Sequence, residues 1–108
     1  MLLLVPEWLE EHHVAAAVAH AAGKASPSPR LDALRLESLA EGRCVQTLHI
    51  GPYDEEGPVL AELHDAFLPA HGLRPTGHHH EIDLSDARRT APERLRTILR
   101  QPVAPLPA

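Results

Sequence analysis

The sequence predicts an α+β domain in which an antiparallel β-sheet carries two helices on one face. Two helical patterns alternate with short strand-like runs, and turn residues separate the runs as in hairpins. A chain of 108 residues has room for one modest core. We therefore expect residues 1–103 to form a single domain and residues 104–108 to form a proline-rich tail.

The first predicted elements are a strand and a helix within residues 1–23. The apolar run at residues 2–5 is too short for a membrane span and lacks the positive start of a signal peptide, so we interpret it as a strand. Pro6 and Glu7 open a helix that the alanine-rich stretch carries to Ala22, before Gly23. Residues 24–30 contain two Ser-Pro pairs and form a loop.

The core is predicted to occupy residues 31–103. Residues 31–39 and 43–50 form a strand pair, and a helix over residues 54–70 follows with a single apolar stripe that includes Phe67 as its main core side chain. Residues 73–77 connect this helix to a strand around Glu81. After a short helical turn at residues 90–93, the last strand covers residues 95–103.

Two carboxylates on the strand at residues 81–84 indicate a site. Glu81 and Asp83 share one side of this strand, about 7 Å apart, whereas Ile82 and Leu84 share the other. We expect the apolar side to meet the core and the acidic side to form the floor of a groove. The Leu48 face of the earlier strand should meet the same core, which turns His49 toward the groove.

The net charge of the chain limits the kinds of molecule that it is expected to bind. A net charge of -5 argues against general binding of nucleic acid, which needs a basic surface. From Arg88 onward, five arginines accompany one glutamate. This basic segment could hold an anion or pair with acids in an assembly, or it could be the solvated face of an edge strand. A single cysteine, Cys44, excludes an internal disulfide framework and favours the cytoplasm.

Several short motifs resemble one family. The chain is similar to GyrI-like small-molecule-binding domains, closest to a subgroup that includes cyclopropanoid hydrolases. The residues that carry this resemblance are His79-His80-Glu81-Ile82, Leu84-Ser85-Asp86, Arg88-Arg89, Pro92-Glu93 and Thr97 to Val103, with Glu41-Gly42, Val45-Gln46, His49-Ile50-Gly51-Pro52-Tyr53 and Glu56 upstream.

The resemblance implies that the chain binds small aromatic or cationic molecules in an acidic groove at Glu81, without a cofactor. Asp83, Tyr53 and His49 are the expected neighbours, and Trp8 could supply an aromatic wall. An alternative is hydrolysis of cyclopropanoid DNA-alkylating compounds, with Glu81 and Asp83 as the catalytic carboxylates. A further alternative is that the chain binds and inhibits an enzyme that acts on DNA. Its only support is that the wider family includes such an inhibitor.

The resemblance also implies that this chain differs in architecture from the usual domain of the family. The chain resembles the C-terminal half of the usual two-part domain, and Asp83 stands where the family usually has a tyrosine. We therefore expect a homodimer that rebuilds the groove, or a truncated gene product that has lost its function. We expect no direct contact with nucleic acid or membrane.

The histidines at residues 78–80 raise a metal-binding alternative. His78 and His80 share one face of the strand, and His79 shares the other with Glu81. Two ligands on one strand do not make a zinc site, because structural zinc takes four protein ligands and catalytic zinc takes three. We therefore predict no metal. A glycosidase-like carboxylate pair is also disfavoured, because acids on one strand point in parallel rather than toward each other.

Overall fold

The computed structural model describes residues 1–107, which divide into a first compact unit, Met1–Leu39, and a second unit that begins at Ala40. It confirms the predicted α+β class, because the chain contains a four-stranded antiparallel sheet together with helices. That residues 1–103 form a single domain stays a prediction. Within residues 1–107, no helix has both the length and the hydropathy needed to span a bilayer.

The first unit contains helix α1, Glu11–Ala22. The helix begins later than predicted, because a turn comes first, in which the backbone N–H of Leu9 donates to the carbonyl of Pro6 at 3.1 Å. Glu10 caps the helix, and its backbone N–H donates to Nδ1 of His13 at 2.9 Å. The strand predicted at residues 2–5 was wrong: these residues have no regular structure.

The second unit contains the sheet, with strands β1 (Cys44–Ile50), β2 (Leu73–Pro75), β3 (His80–Asp83) and β4 (Arg96–Pro105). All three shorter strands pair antiparallel with β4. Strands β1 and β3 both pair with residues 97–100, so they lie on opposite edges of β4, since a strand residue has one neighbour on each side. Strand β4 is therefore the centre of the sheet rather than an edge.

Two further predictions about the sheet were wrong. Residues 31–39 do not pair with β1, whose partner is β4, and only a short 3₁₀ turn, Leu31–Ala33, forms in that segment. Residues 73–75 were predicted as a loop, but they form β2. The prediction of strands at residues 81–84 and 95–103 was confirmed, with shifts of one or two residues at their ends.

A continuous helical run covers residues 56–70. It consists of α2 (Glu56–Glu62), a π-helical segment (Leu63–Phe67) and a last turn, α3 (Leu68–Ala70). Leu68 packs with Leu73 and Val103 in the core of the second unit. Phe67 is 41% exposed and is not the main core side chain that we predicted, whereas Leu63 and Leu68 are buried.

The helical run lies on the face of the sheet that carries the odd-numbered residues of β4. Gln101 on that face is buried, and its Oε1 accepts a hydrogen bond from Nε2 of His64 at 2.7 Å. We call this the helix-side face and the other the open face. The prediction that Leu48 and Ile50 meet the core was wrong, because both lie on the open face and are 47% and 57% exposed.

Candidate functional site

Strand pairing brings the predicted acids and histidine to one end of the helix-side face. Thr97 on β4 lies opposite His49 on β1 and opposite Asp83 on β3. Directly opposed residues share a face, so His49 and Asp83 flank Thr97 on the same side of the sheet. Glu81 lies opposite Leu99, one position further along that face. The predicted common orientation of His49 and Glu81 is therefore confirmed, but on the face that the helical run covers. The prediction that Ile82 and Leu84 meet the core was wrong, because Ile82 lies opposite Ile98 on the open face and Leu84 is 55% exposed.

Glu56, the first residue of α2, completes this group. Its side chain is buried, 4% exposed, and burial raises the pKa of its carboxyl group, as does the negative charge of nearby Glu81. The Thr97 hydroxyl acts in the opposite direction, lowering the pKa. Glu56 Oε1 and Thr97 Oγ1 are both buried without a hydrogen bond of good geometry among residues 1–107. Glu56 is therefore held toward its neutral form beside an exposed carboxylate.

Tyr53 lies next to these acids. It belongs to the 3₁₀ turn Tyr53–Glu55 that leads into α2. The pKa of its phenol is raised, first by burial and then by the charges of Asp83, Glu56 and Asp86. The phenol consequently stays protonated at neutral pH and is available as a hydrogen-bond donor. We call His49, Tyr53, Glu56, Glu81 and Asp83 the acidic cluster.

His49 is fixed by the turn that follows β1. Its Nε2–H donates to the carbonyl of Pro52 at 3.0 Å, which fixes the orientation of the ring. Gly51 has a φ of +137°, and a Cβ there would lie 3.2 Å from Oε2 of Glu55 and 3.6 Å from Nε2 of His49. The turn therefore favours glycine for its backbone conformation, since residues that carry a Cβ rarely adopt this φ.

The exposed carboxylates of the cluster are short of cationic partners. Glu81 contacts Nε2 of His79 at 3.3 Å, with 44% of its side chain exposed. Within residues 1–107, Asp83 forms no ion pair, and no arginine or lysine pairs with any cluster acid. This end of the sheet therefore carries uncompensated negative charge, which would attract a cation or the positive edge of a polarised aromatic ring.

The structure thus brings together four of the five predicted site residues, His49, Tyr53, Glu81 and Asp83. Trp8 belongs to the first unit, where its ring meets that of His13 edge-on at 5.4 Å, and its contact with a ligand stays a prediction.

Sequence reasoning missed Glu56 as a site residue, although it was part of the family motif. A usable signal was present: Glu56 precedes Leu60 and Leu63 by four and seven residues, which is the spacing of the apolar helix stripe. An acid on such a stripe is buried against the sheet.

The histidines at residues 78–80 do not assemble a metal centre in the structure. His79 contacts Glu81, whereas His80 contacts Glu41 on the open face, where Nη1 of Arg100 binds the second oxygen of Glu41 at 3.1 Å. The pKa of Glu41 is lowered, chiefly by its hydrogen bond with His80. Among residues 1–107, no three side chains of His, Cys, Asp or Glu are placed to hold one ion.

Two cavities lie elsewhere in the second unit. One of about 300 Å³ lies between β1 and the helical run; it is lined by Val45, Gln46, Thr47, Val59, Glu62, Leu63 and Phe67. The other, of about 440 Å³, is lined by Ile50, Ser85, Arg89, Thr90, Ala91, Glu93, Arg94 and Arg96. Glu81 and Asp83 line neither of them, so a groove around these acids stays a proposal.

Comparison with known proteins identifies one family. The family model of the GyrI-like small molecule binding domain matches residues 6–104. Three solved structures from Listeria innocua share the fold: a hydrolase (38% identity, TM-score 0.75), an uncharacterized conserved protein (40%, 0.73) and a further hydrolase (37%, 0.70). Each match covers 93% of this chain but only 50–52% of the solved chain, so this chain spans about half their length. The search of curated proteins found no match.

Proposed function

This chain belongs to the GyrI-like small-molecule-binding family, and from that premise we propose that it binds small cationic or aromatic molecules at the acidic cluster. One observation carries the proposal. Within residues 1–107, two buried oxygen atoms, Glu56 Oε1 and Thr97 Oγ1, form no hydrogen bond of good geometry, and they lie beside two carboxylates that have no arginine or lysine partner. Buried polar atoms normally form well-aligned hydrogen bonds, so this pair marks a place for a polar ligand atom.

The chemistry of the cluster supports a cationic ligand. Glu81 and Asp83 supply the negative charge, and the protonated phenol of Tyr53 can donate a hydrogen bond or offer its ring face to a cation. Glu56, held toward its neutral form, can donate one hydrogen bond without adding charge. A ligand with a delocalised positive charge on an aromatic body would use all four groups.

A fluorescence titration with a monocationic aromatic dye tests this proposal, with a neutral dye of the same shape as comparison. We expect Glu81→Gln to weaken binding of the cation about tenfold, which is ~1.4 kcal/mol, and to leave the neutral dye unaffected. Asp65→Asn, which removes an exposed acid from the helical run, is the matched control. Equal affinities of wild type and Glu81→Gln for the cation would reject the acidic cluster as the site.

We also propose, as a second candidate function, hydrolysis of a strained electrophilic ring such as a cyclopropane. Two of the similar solved structures are described as hydrolases, and the cluster holds the exposed Glu81 side chain beside Glu56, whose carboxyl group has a raised pKa. Glu81 would take a proton from water as the water oxygen bonds to one ring carbon. The ring C–C bond would break, and Glu56 would give its proton to the other carbon of that bond. Asp83 would hold the water or the substrate.

Turnover distinguishes the two candidates. Incubation with a spirocyclopropane compound should give a ring-opened, hydrated product that mass spectrometry detects, and Glu81→Gln should abolish it while leaving Asp65→Asn active. Binding of the compound without any product would reject hydrolysis and leave the binding proposal standing. Product formation at the wild-type rate by Glu81→Gln would reject Glu81 as the catalytic base.

We propose that two copies of the chain associate and that both contribute acidic clusters to one groove. Support comes from chain length, because this chain spans only 50–52% of each of the three similar solved structures. A second copy would supply a comparable length of chain on the other side of the groove. Analytical ultracentrifugation at micromolar concentration should show a dimer, and a monomer would contradict the proposal.

A further inference from the structure

The larger cavity lies apart from the acidic cluster, at the open face of the sheet. Arg96 begins β4 and lies opposite Ile50, the last residue of β1, and both belong to the open face. The cavity is bounded by these two residues and by the segment of residues 85–94. Its volume, about 440 Å³, falls within the range of cavities that hold small organic ligands.

The walls of this cavity are fixed by hydrogen bonds. The backbone N–H of Arg96 donates to Oγ of Ser85 at 3.1 Å, and its carbonyl accepts from the N–H of Leu84 at 3.0 Å. The N–H of Arg94 donates to the carbonyl of Ala91 at 2.9 Å, in the turn Pro92–Arg94. The cavity is therefore built from ordered turns around the start of β4.

The charge of the lining is positive in a chain that is acidic as a whole. Three arginines, Arg89, Arg94 and Arg96, line the cavity with a single acid, Glu93. Within residues 1–107, none of the three guanidinium groups forms an ion pair, and neither does Glu93. Since the net charge of the chain is -5, this concentration of cations is not a consequence of composition.

Neighbouring charges do not neutralise these arginines. Asp86, the acid closest in sequence to Arg89, is bound by Arg88, which contacts it through Nε, Nη2 and the backbone N–H at 2.9–3.1 Å. Arg100, further along β4, is held by Glu41 and Gln46 and is not part of the cavity. Arg89, Arg94 and Arg96 therefore remain available to a ligand.

We propose that this cavity binds a small organic molecule through a carboxylate or phosphate group. Guanidinium groups bind both oxyanions through paired N–H donors, and such charge-assisted hydrogen bonds are stronger than neutral ones. The hydroxyls of Ser85 and Thr90 add donors, since Oγ of Ser85 uses only a lone pair toward Arg96. Ile50 and Ala91 offer apolar surface to the body of the ligand. The proposal is independent of the acidic cluster.

Isothermal titration calorimetry of the full chain with phenyl phosphate, benzoate and benzyl alcohol tests the proposal. We expect at least one of the two anions to bind, with a dissociation constant below about 1 mM, and the neutral alcohol not to bind. The anion that binds more tightly identifies the oxyanion. Binding should weaken severalfold as the ionic strength rises from about 0.01 M to about 0.15 M.

Paired variants locate the binding. Arg94→Ala and Arg96→Ala should each weaken binding of the preferred anion at least about tenfold. Arg74→Ala, which removes an exposed arginine on β2 outside the cavity, should leave it within twofold, an approximate margin for no change. Circular dichroism establishes that each variant is folded, and Arg94→Lys serves in place of any that is not. The proposal is overturned if neither anion binds, if the alcohol binds as well as the anions, or if Arg74→Ala and Arg94→Ala weaken binding equally.

Discussion

The two faces of the sheet differ in a way that hydrophobicity alone does not predict. The helix-side face buries Thr97 and Gln101 with Leu99 and Val103, and it carries the acidic cluster at one end. The open face leaves Leu48 and Ile50 exposed and borders the arginine-lined cavity. Polar residues thus lie in the core and apolar residues lie at the surface. Position relative to the helical run, rather than side-chain type, separates the two faces.

The largest difference in the free energy of unfolding should come from replacing one leucine by alanine on each face of the sheet. Leu99 is fully buried on the central strand, so Leu99→Ala should lower the free energy of unfolding by about 2–5 kcal/mol. Leu48→Ala, on the open face, should lower it by less than about 1 kcal/mol, because Leu48 is already half exposed. Urea unfolding measures both values. Equal losses would mean that the open face is also buried, for instance in a dimer.

Replacing Gln101, which is buried on the helix-side face, should lower the free energy of unfolding by a smaller amount. Its Nε2 donates to the carbonyls of Gly77 and Pro102 at 3.0 and 2.9 Å, and its Oε1 accepts from His64. Gln101→Leu keeps the volume and removes these bonds, so we expect a loss of about 1–3 kcal/mol. Arg100→Leu, the neighbouring change on the open face, should cost less because Arg100 is partly exposed. Thermal unfolding compares the two, and a more stable Gln101→Leu would contradict the packing described.

The smallest predicted effect concerns pH. Burial and the charge of Glu81 raise the pKa of Glu56 in the folded chain above its ordinary value of 4.5. Between these two pKa values, Glu56 therefore holds its proton more in the folded state than in the unfolded state. Glu56 therefore lowers stability as the pH rises through its folded pKa. Glu56→Gln should remove this loss and stabilise the protein at pH 7 by on the order of 1 kcal/mol. Denaturant unfolding at pH 5 and pH 7 measures the difference.

Glu41 on the open face provides a control in which the pKa shift, and hence the effect on stability, has the opposite sign. Its pKa is lowered, mainly by His80, so it contributes stability above the ordinary value of 4.5 that is lost as the pH falls through its folded pKa. Glu41→Gln should destabilise the protein at pH 7, whereas Glu56→Gln should stabilise it. The same sign for both variants would contradict the difference between the faces.

Local patterns in the sequence predicted part of this arrangement. Alternation within β1 and β3, with the apolar side of each strand assigned to the core, predicted that His49 and Glu81 share an orientation. The pairing of both strands with β4 confirms the shared orientation, although both apolar sides lie on the open face. The long run at residues 95–103 identified β4, and the stripe around Leu63 identified the helical run. These features depend on neighbouring residues, which a sequence shows directly.

Features that depend on long-range pairing were not predictable from local patterns. Alternation defines two sides of a strand but does not say which one a helix will cover, so Leu48 was assigned to the core although it lies on the open face. Strand β2 has three residues and forms because β4 extends to Pro105 beside it. Glu56 was missed as a site residue because two of the groups beside it, Glu81 and Thr97, belong to strands that follow it in the chain.

Mapping a bound cation by amide NMR tests the central claim most directly. Titration with a monocationic aromatic compound should shift the amides of Tyr53, Glu56, Glu81 and Asp83, and it should leave those of Thr90 and Arg94 in place. We expect saturable shifts that are confined to the acidic cluster and that Glu81→Gln weakens. Shifts that centre on the arginine-lined cavity, or no saturable shift at millimolar ligand, would contradict it.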